Sequence, residues 1–273
     1  MISPATTPSG ALRRLQRATF AWLASWWRLL QFAGLIGALA LAPSSYRRDN
    51  RPALARHLVL ATTPNLLWFA VLSALISLVL IRIVVVTALS YGLSRYALEM
   101  VVRVLVLELI PLTAAGFVAL RSTLPDGLAF AQLRAQGALD DLRRHGLDLL
   151  RREYFPRVLA GVFAVWMLAA VSCVLALILA YLTLYGFTPW ALPGYTRVVG
   201  HIFNPAVTLI LVLKILFFSF AVALIPLAGA YRAGADSTQT RARPGATPGL
   251  AEMVRLFAAI LFIEIASLMG NYY

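Results

Sequence analysis

LELIPLTAAGFVALRSTLPDGLAFAQLRAQGALDDLRRHGLDLLRREYFPRVLAG, residues 107–161, is the stretch that decides the fold. An apolar segment closes at Arg121, a stretch of mixed charge follows, and a second long apolar segment opens at Pro156 and Arg157. Between them stand Asp126, Asp140, Asp141, Asp148 and Glu153 together with Arg134, Arg143, Arg144, Arg151 and Arg152. A charged side chain at the centre of a bilayer costs about 2.5–3.5 kcal/mol on insertion scales, so this many cannot lie in hydrocarbon. Residues 122–154 therefore read as a polar handle between two membrane crossings, on the cytoplasmic side by the inside bias of basic loops.

Composition agrees. The chain has 273 residues, 61% hydrophobic and 13% charged, where an ordinary soluble domain is about 25% charged. Its mean hydropathy is +0.81. The net charge of +13 comes from basic residues set between apolar runs. They read as topology signals facing anionic lipid heads. No basic stripe with interleaved aromatics suggests nucleic acid. Cys173 is the single cysteine, so there is no disulfide framework and no thiolate metal cluster. His57, His145 and His201 are scattered without a second ligand at helical spacing, and neither a metal nor a cofactor is expected.

The remaining chain orders itself around the handle. Residues 1–10 form a polar tail expected to be poorly ordered. Residues 11–57 read as an interfacial helix and linker: Trp22, Trp26 and Trp27 suit headgroup depth, and arginines flank the apolar run on both sides, which argues against a crossing. The membrane region is 58–273, with crossings at 66–90, 97–120, 155–185, 206–231 and 250–270. Pro111 predicts a kink in the second of these. Residues 186–205 read as an outer hairpin rich in Pro and aromatics, and 232–249 as a polar inner loop. Basic residues number eight up to Arg56, seven from Arg121 to Arg157 and four from Arg232 to Arg255, against Arg95 and Arg197 outside. The N-terminus is therefore placed in the cytoplasm. The fold class is an all-α integral membrane protein: an N-terminal interfacial helix and five transmembrane helices, with a cytoplasmic coupling helix between spans 2 and 3.

Charges inside the apolar runs need partners. Arg82, Glu99, Arg103, Glu108, Lys214 and Glu264 each interrupt one. Glu99 and Arg103 are four residues apart on one helix face and are expected to pair as a structural element. Glu108 lies about 180° round the helix from Glu99, so its partner comes from another helix, with Arg82 or Lys214 as candidates. Arg82, Glu108 and Lys214 are the residues expected to line a polar passage; buried pairing is the competing reading. Ser172, Ala176 and Ala180 repeat every four positions, as close helix packing requires. On the handle, Leu128, Ala131, Ala135, Leu139 and Leu142 mark an apolar face, while Gln132, Arg134, Gln136, Asp140, Asp141, Arg143 and Arg144 form a polar docking surface. Gly146 fits a helix stop and Asp148 the cap of the next helix.

Several of these residues carry a family resemblance. ELIP at 108–111, an arginine ten residues after Pro111, the mixed-charge helix, Asp148 and PRVLAG at 156–161 resemble the MlaE/YrbE family of permeases. LARHL at 54–58, Lys214 ahead of FFSF, and AGAY at 228–231 extend the resemblance. It implies the permease of an ABC transporter in the bacterial inner membrane, paired with a second copy or a paralogue. It also implies a cytoplasmic ATPase docked on the handle and a periplasmic MCE-domain protein, with phospholipid or a similar hydrophobic molecule as cargo. Ala129 stands where the family carries an acidic residue, and Gly137-Ala138 where it carries Glu-Gln, which marks a divergent member.

The residues bound the function independently. No GxxxxGK[ST] motif occurs, and Lys214 lies in VLKILFF rather than after a glycine-rich loop, so the chain does not hydrolyse ATP by itself. It is not expected to be an enzyme. Two alternatives stand beside the transporter: a non-transporting anchor or regulatory half of a heteromeric permease, and a lipid-modifying membrane enzyme. The second rests on DGLA at 126–129 followed by Asp140 and Asp141, and it lacks the arginine that such a metal-binding aspartate motif needs.

Overall fold

The computed structural model describes residues 26–42, 51–136, 150–232 and 248–272. Among them the chain is helical, without a strand, and five helices are long and apolar enough to cross a membrane. This is the expected fold class. A shorter apolar helix, α1 (Trp26–Leu41), precedes them; at 1.5 Å per residue it reaches about 24 Å, less than a hydrocarbon layer.

The first crossing is longer than its apolar core requires. Helix α2 (Arg51–Ser90) starts fifteen residues before the expected Leu66 and passes through Pro64 without a break. The LARHL sequence thus belongs to the membrane helix itself. After a turn at Gly92, with φ +70°, the chain returns as one helical rod over residues 94–135. That rod is α3 (Ser94–Val101), a π-helical stretch (Val102–Leu109), α4 (Ile110–Val118), a second π-helical stretch (Ala119–Thr123) and α5 (Leu124–Ala135). The expected kink at Pro111 takes the form of the first π-helical stretch, which ends two residues before it. Proline offers no N–H to the carbonyl of Leu107 four residues back, so the α ladder cannot close there.

The second correction concerns the handle. The rod does not stop at Leu120 but carries on to Ala135. Its buried face is Thr123, Gly127 and Phe130, whereas Leu128 is 44% exposed. The expected apolar face began at Leu128 and is therefore out of phase: packing against a neighbouring helix, not the spacing of leucines, sets which side turns inward. Leu139, Leu142, Gly146 and Asp148 lie outside the described residues, as does the tail 1–10.

Helix α6 (Phe155–Tyr185) follows a short π-helical lead-in, Leu150–Tyr154, and runs along α2. A 3₁₀ turn (Pro189–Ala191) and α7 (Leu192–Ile202) form the far-end hairpin, followed by α8 (Pro205–Arg232) and α9 (Pro248–Tyr272). The rod at 94–135 is the centre of the bundle: 56% of its apolar window is buried, against 22% for α2 and for α9.

Three apolar clusters stack along the bundle. At the handle end Tyr154 is stacked on Phe130, with ring centroids 4.7 Å apart, and meets Phe32 of α1 edge-on at 5.9 Å. In the middle Phe69, Ala114, Ala115, Val118, Leu168, Phe218 and Leu256 close together. At the far end Ile81, Val101, Leu105, Ala176, Ala180 and Tyr195 form the third cluster. Ser172, Ala176 and Ala180 are all buried, as their spacing predicted. Tyr195 donates to the carbonyl of Leu177 at 2.8 Å. Burial, and then Tyr185 beside it, pushes its hydroxyl up to about 12, so the donor is retained at neutral pH.

Two small residues set the closest approaches. A Cβ on Gly127 would stand 2.9 Å from the carbonyl oxygen of Pro226 on α8. At Gly161 it would meet Thr123 at 3.1 Å and Ala223 at 3.2 Å. Gly127→Ala is accordingly expected to cost about 1–3 kcal/mol through overpacking against backbone. Gly200→Ala, where a Cβ meets nothing within 4 Å, is expected to leave thermal unfolding in detergent unchanged or slightly raised. Equal melting of Gly127→Ala and the wild type would contradict the close approach.

Candidate functional site: a buried charge cluster

Pro111 also explains where the polar centre forms. The Leu107 carbonyl that it leaves without an α-helical partner accepts a hydrogen bond from Lys214 Nζ at 3.2 Å. Cys173 Sγ lies 3.8 Å from the preceding carbonyl, Val106. The π-helical stretch thus turns two backbone acceptors toward neighbouring helices. π-Helical turns inside α-helices recur at functional sites for this reason.

Lys214 sits nine residues into α8, about 14 Å from its start, and its side chain is 1% exposed. An ammonium there requires anions. Glu108, from the π-helical stretch, contacts it through Oε2, and Glu264 of α9 lies 2.9 Å away through its own Oε2. The other Glu108 oxygen, Oε1, accepts from Asn271 Nδ2 at 3.0 Å. Phe218 covers the ammonium from one side, with its ring centre 5.8 Å off. Three crossings therefore converge on one cation.

The sequence left Arg82 or Lys214 as partners for Glu108, and the geometry selects Lys214. Arg82 is exposed on the outer side of α2 beside Val79 and Ile83 and does not join the cluster. Arg103 Nε donates to Glu99 Oε1 at 3.0 Å, so these two pair locally and half-exposed. Asn271 was not anticipated. Its signal was available: it lies seven residues after Glu264, two helical turns along the same face. Ser267 shares that face and is also buried.

At the handle end, Arg157 Nη1 donates to Glu153 Oε2 at 2.6 Å and to the Glu153 carbonyl at 3.0 Å, and its guanidinium lies 4.4 Å over the Phe130 ring. This fixes the root of α6 to α5. Gln132 and Gln136 are exposed near the end of α5, and Arg134 lies on the same helix. Asp140, Asp141, Arg143 and Arg144 lie outside the described residues. Among the described residues no group of three His, Cys, Asp or Glu side chains could hold a metal ion.

Comparison with known proteins matches residues 54–268 to the family described as Permease MlaE. The match runs from the start of the first apolar helix to near the end of the last. No curated protein matches the chain.

Removing one partner of a buried ion pair leaves the other charge uncompensated, a loss of about 3–5 kcal/mol. Lys214→Met is expected to destabilise by that amount. Adding Glu108→Gln in the same chain should restore part of it, giving a coupling energy in a double-mutant cycle read by reversible unfolding in mixed detergent. Strict additivity of the two losses would show that the pair does not interact.

Proposed function

The chain belongs to the MlaE permease family, and on that premise we propose that it is the membrane-spanning subunit of an ABC-type lipid transporter. In this reading it moves phospholipid or a similar hydrophobic molecule between the bacterial inner membrane and a periplasmic MCE-domain assembly. A separate cytoplasmic ATPase supplies the energy. The observation that carries the reading is Lys214, the one buried cation among the described residues, inside a helical bundle whose family is a transporter family. An ammonium balanced by movable carboxylates suits transient contact with a phosphate headgroup. Glu108 and Lys214 are the proposed passage residues. Arg82, on the outer side of α2, is proposed to meet lipid heads or a second permease copy.

The handle supplies the proposed coupling. Gln132, Arg134, Gln136, Asp140, Asp141, Arg143 and Arg144 are the proposed contacts with the ATPase. The geometry supports a lever: α5 is continuous with the π-helical stretch that holds Glu108, and at Gly127 it touches the backbone of α8, the helix that holds Lys214. Displacement of α5 would act on both members of the pair. The orientation follows, with the handle in the cytoplasm and the far-end hairpin in the periplasm.

Charge reversal tests this. With both Arg143→Glu and Arg144→Glu, co-purification of the ATPase and lipid movement between labelled vesicles and the MCE protein are both expected to fall at least tenfold. Full ATPase association with no lipid movement in the wild type would instead favour a non-transporting anchor. Cysteine labelling of Arg144→Cys only from the periplasmic side would sink the proposed orientation.

A further inference from the structure

The cluster around Lys214 does not balance. Glu108 and Glu264 bring two carboxylates to a single ammonium. With all three ionised, its formal charge is one negative unit in excess. The charged and polar groups of the cluster come from three elements. The π-helical stretch contributes Glu108, α8 contributes Lys214, and α9 contributes Glu264, Ser267 and Asn271. On α6 Cys173 faces the Val106 carbonyl and Ser172 beside it is buried, and on α7 Tyr195 is bonded to Leu177. The guanidinium of Arg103 is held by Glu99, and Arg82 points out of the bundle. No second cation is within reach among the described residues.

A further observation marks the same face of α9. Ser267 Oγ and Asn271 Oδ1 are buried oxygen atoms without a hydrogen bond of good geometry. With Glu264, whose Oε2 faces Lys214, they line two turns of one helix face, and Asn271 Nδ2 bonded to Glu108 shows that this face turns toward the cluster. Two unpartnered buried oxygens beside an excess negative charge call for a donor. A buried uncompensated charge costs several kcal/mol, and two carboxylates that share one site cannot both stay ionised cheaply. Both carboxylates contact the same Nζ, which sets them side by side, so a proton on one is within reach of the other.

We propose that the cluster of two carboxylates on the Lys214 ammonium holds one bound proton at neutral pH, making it a proton-binding site inside the membrane bundle. Uptake converts one carboxylate to a carboxylic acid: an O–H bond of hydronium breaks, the carboxyl O–H forms and water is left, with no other bond changed. The cluster is then neutral, the ammonium matched by one carboxylate. The consequence for transport rests on the permease reading: the neutral cluster admits an anionic headgroup to Lys214, and the deprotonated one repels it. The proton itself does not depend on that reading.

Infrared difference spectroscopy of the full chain in lipid nanodiscs tests the proton without any transport measurement. The wild type at neutral pH should show the carbonyl stretch of a buried carboxylic acid, shifted in heavy water. Glu264→Gln and Glu108→Gln should each abolish it, because either substitution leaves one carboxylate matched to one ammonium. A band that survives either substitution overturns the bound proton. Should a variant fail to fold, the wild type decides alone: the band must be present at neutral pH and vanish on titration to alkaline pH. Its absence at neutral pH overturns the proposal. If the band behaves as expected while lipid movement is absent, the permease reading fails and the proton site stands.

Discussion

A cation in hydrocarbon cannot be left alone, and Lys214 makes that demand at the centre of this bundle. Its nearest neighbours come from three places that share no local sequence: a backbone carbonyl at Leu107, a carboxylate at Glu108 and another at Glu264. Lipid gives helices little reason to associate through apolar surface alone, since acyl chains are as apolar as leucine. The electrostatic requirement is therefore what selects one arrangement. The last crossing illustrates it. Only 22% of the apolar window of α9 is buried, yet Glu264 and Asn271 fix its rotation and its depth against the central rod.

Pro111 and Lys214 depend on each other. A proline inside a helix strips a hydrogen bond from the carbonyl four residues before it, and in lipid that carbonyl cannot turn to water. Lys214 donates to it, and the π-helical stretch widens the helix enough to let it. Either feature alone would be a defect: an orphaned acceptor in one case, an under-bonded ammonium in the other. Together they make a polar site from a helix break.

Much of this was legible in the sequence. Five apolar runs give five crossings because hydrocarbon thickness fixes the length of a span. The Glu99–Arg103 pair follows from four-residue spacing, and the need for a distant partner at Glu108 from its angle on the same helix. Other features were not legible, for physical reasons. The start of α2 at Arg51 is a continuation of helix beyond the bilayer, where apolarity no longer marks it. The phase of α5 is set by Gly127 against Pro226, and a glycine carries no hydrophobic signal. The spacing of Asn271 from Glu264 marks a shared face, but its bond to Glu108 joins residues of two different helices, and only their packing supplies that partner.

The arrangement also bears on how the two ends of the molecule are joined. The handle-end aromatics, Phe32, Phe130 and Tyr154, clamp α1, α5 and the start of α6 into one unit. From that unit α5 continues into the rod that carries Glu108, and presses on α8 through backbone rather than through a flexible side chain. Backbone contact transmits displacement because close-packed atoms have no slack. The rod is interrupted by π-helical stretches on both sides of α4, places where a helix changes register by one hydrogen bond. A displacement entering at α5 therefore meets a stiff contact to α8 and a register-sensitive path to Glu108. The two ends of the ion pair are reached by routes of unequal stiffness, which is the mechanical condition for separating them rather than moving them together.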